Sequence, residues 1–133
     1  MAKASGLGQT TLSVDTSAGT PTDIRNDVTN WQMATPRGVQ DVTGVDKSAN
    51  ERLLLLADGS ITLNGVFNAT GSHLVFRTVS STSVARTTTQ TVNGVTLAME
   101  LLYSDYQLSR SDSGELTWSA PGSLADGVVP TWS

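Results

Sequence analysis

Cysteine is absent from the 133 residues, which excludes disulfides, thiol catalysis and thiolate metal sites. Histidine occurs once, at His73, so a multi-histidine zinc site is excluded as well. Basic residues are few: eight Lys and Arg face twelve Asp and Glu, for a net charge of −4. Phosphate affinity comes from clustered Lys and Arg, so this balance argues against a conventional nucleic-acid grip. No apolar run approaches the ~18 residues a membrane-spanning helix needs, and no membrane partner is expected. The opening Met-Ala-Lys-Ala-Ser-Gly lacks the apolar stretch of a secretory signal. Without such a signal the glycosylation text Asn68-Ala69-Thr70 carries no weight. There is no internal repeat of solenoid length.

What fills the gap is hydroxyl. Ser and Thr make up about a quarter of the chain, while apolar residues are 38% and charged residues 15%. Thr favours strands, and Ser competes with helical hydrogen bonds, so the composition points to half-exposed β-structure. The length fits one domain with a core of its own. Residues 1–22 are Gly-, Ser- and Thr-rich and end at Pro21; only Leu12 and Val14 alternate there. This stretch reads as a flexible N-terminal arm holding one short strand ordered by a neighbour, or else as a disordered tail. Residues 24–43 read as a hairpin, with Trp31, Met33 and Thr35 on one face and Pro36-Arg37-Gly38 as the turn. Residues 44–50 are a polar loop. Both the arm and this loop are too poor in apolar residues to offset their own ordering entropy.

Glu51 to Ala57 is ambiguous, because Leu53-Leu54-Leu55-Leu56 shows neither period and leucine is a good helix former. Asp58-Gly59 is a turn and 60–67 a strand. Ser72 is a candidate N-cap for a short helix over 73–79, although Val and Thr there suit a strand nearly as well. Val84 to Val92 is a strand with Thr87, Thr89 and Thr91 on one face. Asn93-Gly94 is the strongest hairpin turn. Its partner strand puts Val95, Leu97, Met99, Leu101 and Tyr103 on one face. The apolar positions then change phase to Tyr106 and Leu108, which requires a bulge or bend near Ser104-Asp105. Asp112-Ser113-Gly114 turns the chain so that Leu116 and Trp118 face Leu108 and Tyr106. Residues 127–132 read as an edge strand, since Pro130 cannot donate to a central ladder.

The catalytic inventory is thin. The only phosphate-loop-like text, Gly44-Val45-Asp46-Lys47-Ser48, has Asp41 and Asp46 where such a loop needs glycine. Gly6-Leu7-Gly8 lacks the flanking strand and helix of a dinucleotide fingerprint. His73 has no Gly-x-Ser-x-Gly elbow to serve. Asp23, Asp27, Asp41, Asp46, Asp58, Glu100 and Asp105 are scattered; a glycosidase pair forms in space and stays open at this level, but seven aromatics in all are few for a sugar cleft. No calcium loop is present. No cofactor, metal or catalytic residue is assigned, and the chain reads as no enzyme. Core packing is the default for Trp31, Phe67, Phe76, Tyr103, Tyr106 and Trp118. Trp132, next to the last residue, is a candidate intersubunit anchor.

The order of the pieces adds a resemblance. Asn26-Asp-Val-Thr-Asn-Trp-Gln-Met-Ala-Thr-Pro-Arg37, then Asp41-Val-Thr-Gly44, then Leu56-Ala-Asp-Gly-Ser-Ile-Thr-Leu-Asn-Gly-Val-Phe67 follow the order of the tail tube (major tail) proteins of long-tailed bacteriophages. Gly114-Glu-Leu-Thr-Trp-Ser119 and Asp126-Gly-Val-Val-Pro-Thr-Trp132 resemble that family's closing strands. The match spans roughly residues 23–132; the leucine run departs from a usually more polar segment. The resemblance implies a mainly β fold over 23–133: an antiparallel β-sandwich or partly closed barrel with one short flanking helix. It implies a structural virion protein of the tail, assembled in the host cytoplasm, whose hexameric rings stack into a tube for DNA ejection. The tape measure protein and viral DNA would occupy the lumen without specific recognition, with tail terminator and baseplate or tip proteins at the ends.

An acidic wall suits a conduit for a polyanion better than a basic one. Asp41, Thr87, Thr89, Thr91 and Glu100 are the lumen-facing candidates. Leu12, Val14, Asp46, Lys47 and Trp132 are the candidates for intersubunit contact. The rival reading is a non-polymerising β-sandwich binding module, of the capsid-decoration or carbohydrate-binding kind; a small hydrolase built on His73 is a third.

Overall fold

The computed structural model describes residues 3–133; Met1 and Ala2 of the expected arm lie outside the described residues. The strands are β1 (Thr11–Asp15), β2 (Pro21–Asp23), β3 (Val28–Ala34), β4 (Arg37–Asp41), β5 (Arg52–Ala57), β6 (Ser60–Val66), β7 (Arg86–Val92), β8 (Val95–Tyr103), β9 (Gln107–Arg110) and β10 (Leu116–Leu124), with one helix, α1 (Ser72–Phe76). Eight strands form one antiparallel sheet in the order β2-β1-β7-β8-β10-β6-β3, with β9 also on β10. β4 and β5 stand apart as a two-stranded ribbon.

The sheet curls until its ends approach. Trp31 Nε1 on β3 donates to Gln9 Oε1, just before β1, at 3.0 Å. Gln90 Nε2 on β7 lies 2.9 Å from Met33 Sδ on β3. No strand ladder joins β3 to β1 or β2, so the barrel stays open along that seam.

Period-two alternation builds the core. Leu97, Met99, Leu101 and Tyr103 on β8 point inward, as do Ile61 and Leu63 on β6 and Trp118 and Ala120 on β10. α1 plugs the barrel with Val75 and Phe76, both fully buried. The Phe76 ring lies 5.2 Å from Tyr103 and from Trp118, and 5.7 Å from Tyr106. Five residues cannot sustain a helix by propensity; this packing holds it. Its N-terminus is not capped by Ser72 as expected. Ser72 is the first helical residue, and the Asp27 carboxylate accepts its N–H at 2.9 Å and the Asn68 amide at 3.0 Å. A Cβ at Gly71 would collide with that carboxylate. At the other end, the buried Arg86 guanidinium donates to Val75 O, Asp15 O and the Thr78 hydroxyl at 2.9, 3.2 and 2.8 Å. Burial lowers the Arg86 pKa from its ordinary value, because nothing beside it neutralises the charge as well as water does.

Turn chemistry sets the register. Asn93 and Gly94 have φ of 52° and 85°, the left-handed pair a tight hairpin requires. The phase change after Tyr103 is a real corner: β8 ends there and β9 starts at Gln107. β10 runs past the corner, pairing its first half with β9 and its last residues with β8. Pro121 sits at the join. Its O accepts from Ser104 N at 3.3 Å, so its missing N–H points to the same gap, where no ladder partner stands.

Four expectations are corrected. Within the expected 1–22 arm, 11–15 and 21–22 belong to strands of the sheet, because Leu12 and Val14 alternate into the core at 1% and 0% exposure, while 3–10 form no strand. Leu12 and Val14 are therefore not intersubunit contacts but core residues of their own subunit. Residues 24–43 are no hairpin: β3 pairs with β6, and β4 with β5. Thr35-Pro36 and Gly38 supply no left-handed residue to reverse the chain, so it leaves the sheet instead. Residues 127–132 form no strand; only Ser133 exchanges backbone bonds with Thr96, at 2.9 and 3.0 Å. The helix ends at Phe76, and 77–81 continue as turns.

Candidate functional site

With the core facing inward, alternation leaves an opposite face on β2-β1-β7-β8. Thr87, Thr89 and Thr91 lie on it, and the register sets Thr87 opposite Glu100, Thr89 opposite Ala98 and Thr91 opposite Thr96. Thr87 Oγ1 donates to Glu100 Oε2 at 2.7 Å, and the Thr91 and Thr96 hydroxyls are 2.9 Å apart. β1 extends the face: Thr11 pairs with Thr91 and Ser13 with Thr89, and Ser13 pairs in turn with Asp23 on β2. Asp15 is the next outward residue. The face is thus mainly hydroxyls and carboxylates, interrupted by Ala98 and the half-exposed Leu102 of β8, and none of these positions is Lys or Arg. Arg86, on the same strand as the threonines, points the other way into the core. Four of the five lumen candidates are brought together here.

Asp41 is not among them. It sits on β4, opposite Arg52 of β5, at the mouth of the loop that joins the ribbon's strands. Its carboxylate accepts from both the hydroxyl and the N–H of Thr43, and these bonds hold its pKa below the ordinary value. The Thr43 hydroxyl in turn accepts from Glu51 N at 2.7 Å. Asp46 and Lys47 lie beyond this clamp, exposed and 3.6 Å apart. Trp132 is half exposed, and Val128 and Val129 of the same C-terminal stretch are also exposed.

The ribbon carries the feature the sequence left unresolved. Leu53 to Leu56 form a strand whose side chains are 53%, 60%, 44% and 90% exposed. Val39, opposite Leu54, is 56% exposed. The run obeys neither amphipathic period because neither ribbon face packs on this chain.

His73 and the acids are engaged locally. His73 Nδ1 is 3.2 Å from the Tyr106 hydroxyl, and its ring is 5.0 Å from Phe67. Asp27 caps α1, Asp58 accepts from Gly59 N, Asp105 accepts from Tyr106 N and Gln107, and Asp23 pairs with Arg25 at 3.0 Å. Among the described residues no three or more of His, Asp and Glu gather where a metal ion would fit. A concavity between Gly6–Gln9 and β3 has Arg25 as its one charged lining residue, and that guanidinium is bonded to Thr10 O and Asp23.

Sequence reasoning missed two groups. The inner face of β7 is polar, with Arg86, Thr88 and Gln90 all buried; a hydrophobicity pattern cannot mark a core made of polar groups. Asp15 was masked by the arm reading, although the Leu12/Val14 alternation marks it as an outward residue; Asp23 joins the face only through the pairing of β2 with β1.

No protein-family model and no curated protein sequence matches the chain. Solved structures do. A chain from the tail of an empty gene transfer agent particle, a helical assembly of C6 symmetry, superposes with a TM-score of 0.76 at 15% identity, covering 98% of this chain and 99% of that one. A chain of the native gene transfer agent virion gives 0.70 at 14% identity, over 92% and 95%. A chain of the six-fold anti-feeding prophage baseplate gives 0.66 at 14% identity, over 100% and 97%. The open antiparallel barrel with one short helix is the tail-tube-like fold that the sequence resemblance implies.

Proposed function

We propose that this chain is a structural tail protein that polymerises as stacked hexameric rings into a virion tail tube, the conduit for DNA ejection. The observation that carries the reading is the end-to-end fold match to a chain of a C6-symmetric tail. The surfaces support it. The hydroxyl and acidic face of β2-β1-β7-β8 lines the lumen, with Thr87, Thr89, Thr91 and Glu100 from the sequence reading joined by Asp15 and Asp23. Asp15 and Glu100 repel phosphates, and the one guanidinium at the edge of the face, Arg25, is already paired with Asp23, so the face offers few of the counterion-releasing contacts that hold DNA. DNA and a tape measure protein pass without being bound by sequence.

The loop carrying Asp46 and Lys47, the segment before Thr11 and the stretch around Trp132 contact neighbouring subunits. Terminator and baseplate or tip proteins meet the ends of the tube. The chain does no chemistry of its own; it is assembled in the host cytoplasm and resides in the virion.

Negative-stain images of the purified protein, alone and with its tail partners, test this. Tubes or six-fold rings are expected. Compact particles at every concentration would overturn the polymerising reading in favour of a binding module.

A further inference from the structure

We propose that Met33 is a reversible oxidation site whose sulfoxide loosens the seam of the barrel. The inference concerns the single subunit and does not rest on the tube reading. Cysteine is absent, so the sulfur an oxidant meets is thioether, and the chain has three: Met1, Met33 and Met99. Met1 lies outside the described residues, and Met99 is 4% exposed within the core. Met33 is half-buried on β3, which pairs with β6 on one side and with no strand on the other. An oxidant therefore reaches Met33 more readily than Met99.

The same sulfur bridges the seam. Gln90 Nε2 on β7 lies 2.9 Å from Met33 Sδ, and Trp31 with Gln9 supplies a second bridge. Gln90 is 1% exposed, and its Oε1 has no partner among the described residues. The amide keeps Nε2 toward Met33 because a thioether accepts a hydrogen bond and never donates one. That bond engages one sulfur lone pair and leaves the other free to attack hydrogen peroxide. An S–O bond forms, the O–O bond breaks, and the second oxygen leaves as water. The sulfur gives up an electron pair and the peroxide takes it. An apolar group thus becomes a polar one. At 2.9 Å no oxygen fits between Sδ and Nε2. Either the new oxygen takes the Gln90 bond and the sulfur retreats, or it turns into the apolar interior without a partner. Both outcomes weaken the tie between β3 and β7, where no ladder stands to hold them. Reduction of the sulfoxide restores the thioether and the bridge.

Dilute hydrogen peroxide on the purified protein, followed by peptide mass mapping and thermal melting, tests this. Met33 should gain one oxygen about tenfold faster than Met99, because burial slows the attack. The oxidised protein should melt about 5 °C below the parent. Methionine sulfoxide reductases acting on both epimers should return it to the starting value. Met99→Leu should lose the same temperature on oxidation as the parent, and Met33→Leu should lose none, each measured against its own untreated sample. Within the parent alone, the loss should track the fraction of Met33 sulfoxide, which keeps the test decisive if Met33→Leu does not fold. Oxidation of Met99 ahead of Met33, an unchanged melting temperature with Met33 fully oxidised, or an equal loss in Met33→Leu each overturns the proposal.

Discussion

The barrel and the ribbon use leucine in opposite ways. Leu12, Leu63, Leu97 and Leu101 in the barrel are at most 1% exposed, whereas Leu53 to Leu56 in the ribbon are 44–90% exposed. Both regions are antiparallel β. The barrel has a sheet that curls and a helix that plugs it, so alternation yields an inside. Two strands alone have no inside; they are marginal without packing on something else. An apolar residue in the barrel is thus a statement about folding, and in the ribbon it contributes little to the fold of its own subunit.

Substitution in the core breaks this comparison most sharply. Leu63→Ala, at a fully buried site between Trp31 on β3 and Ala120 on β10, should cost about 2–5 kcal/mol through lost transfer energy and the cavity left behind. The melting temperature of the isolated subunit should drop by on the order of 10 °C. Leu56→Ala removes the same atoms from a 90% exposed position and should stay within about 0.5 kcal/mol of the parent. Calorimetry on both variants checks the contrast; equal losses would mean the ribbon packs on its own subunit.

Tyr103 gives a smaller effect, confined to the barrel. Its hydroxyl is buried and bonded to the Thr88 hydroxyl at 2.6 Å. Burial is the main cause that pushes its pKa well above the ordinary value, against opposing contributions from Thr88 and Arg86. The folded state thus keeps the proton after the unfolded chain has lost it. This contribution is complete below about pH 10 and declines as pH rises beyond it. Tyr103→Phe should flatten the alkaline decline seen in denaturant midpoints. At neutral pH it should cost about 1–2 kcal/mol, because Thr88 loses its partner. An unchanged alkaline slope would place the sensitivity elsewhere.

Most of the barrel was legible before the structure, and the reason is local. The β7–β8 hairpin announces itself through Asn93-Gly94 and the inward row from Leu97 to Tyr103, and the odd-to-even phase change marks the corner before β9. The ribbon was not legible. Its strands pair across a ten-residue polar loop, and its leucines stay exposed on both faces, so no intrachain burial imposes a period on them. The helix cap was misplaced for a related reason: Ser72 looks like a cap in sequence, but Asp27, 45 positions earlier, arrives through tertiary structure. The candidate lumen face was legible as the Thr87-Thr89-Thr91 row. Its extension onto Asp15 and Asp23 depends on strand order, which the sequence does not print.

The smallest effect belongs to the ribbon's loop. The Thr43 hydroxyl ties Asp41 on one side to Glu51 on the other, and its bond to Asp41, with that of the Thr43 N–H, holds the Asp41 pKa down. A carboxylate with a depressed folded pKa stabilises its state above the unfolded pKa and stops doing so as pH falls through the folded value. The loop mouth should therefore be closed at neutral pH and open below the ordinary carboxylate range. Asp41 is fully solvated, so the global melting temperature should not register the change. Amide exchange across residues 42–51 should, with protection falling on acidification while the barrel strands keep theirs. Thr43→Val removes the hydroxyl and should bring that faster exchange to neutral pH, erasing most of its pH dependence. If exchange in the loop is already unprotected at neutral pH in the parent, the clamp does not order the free subunit.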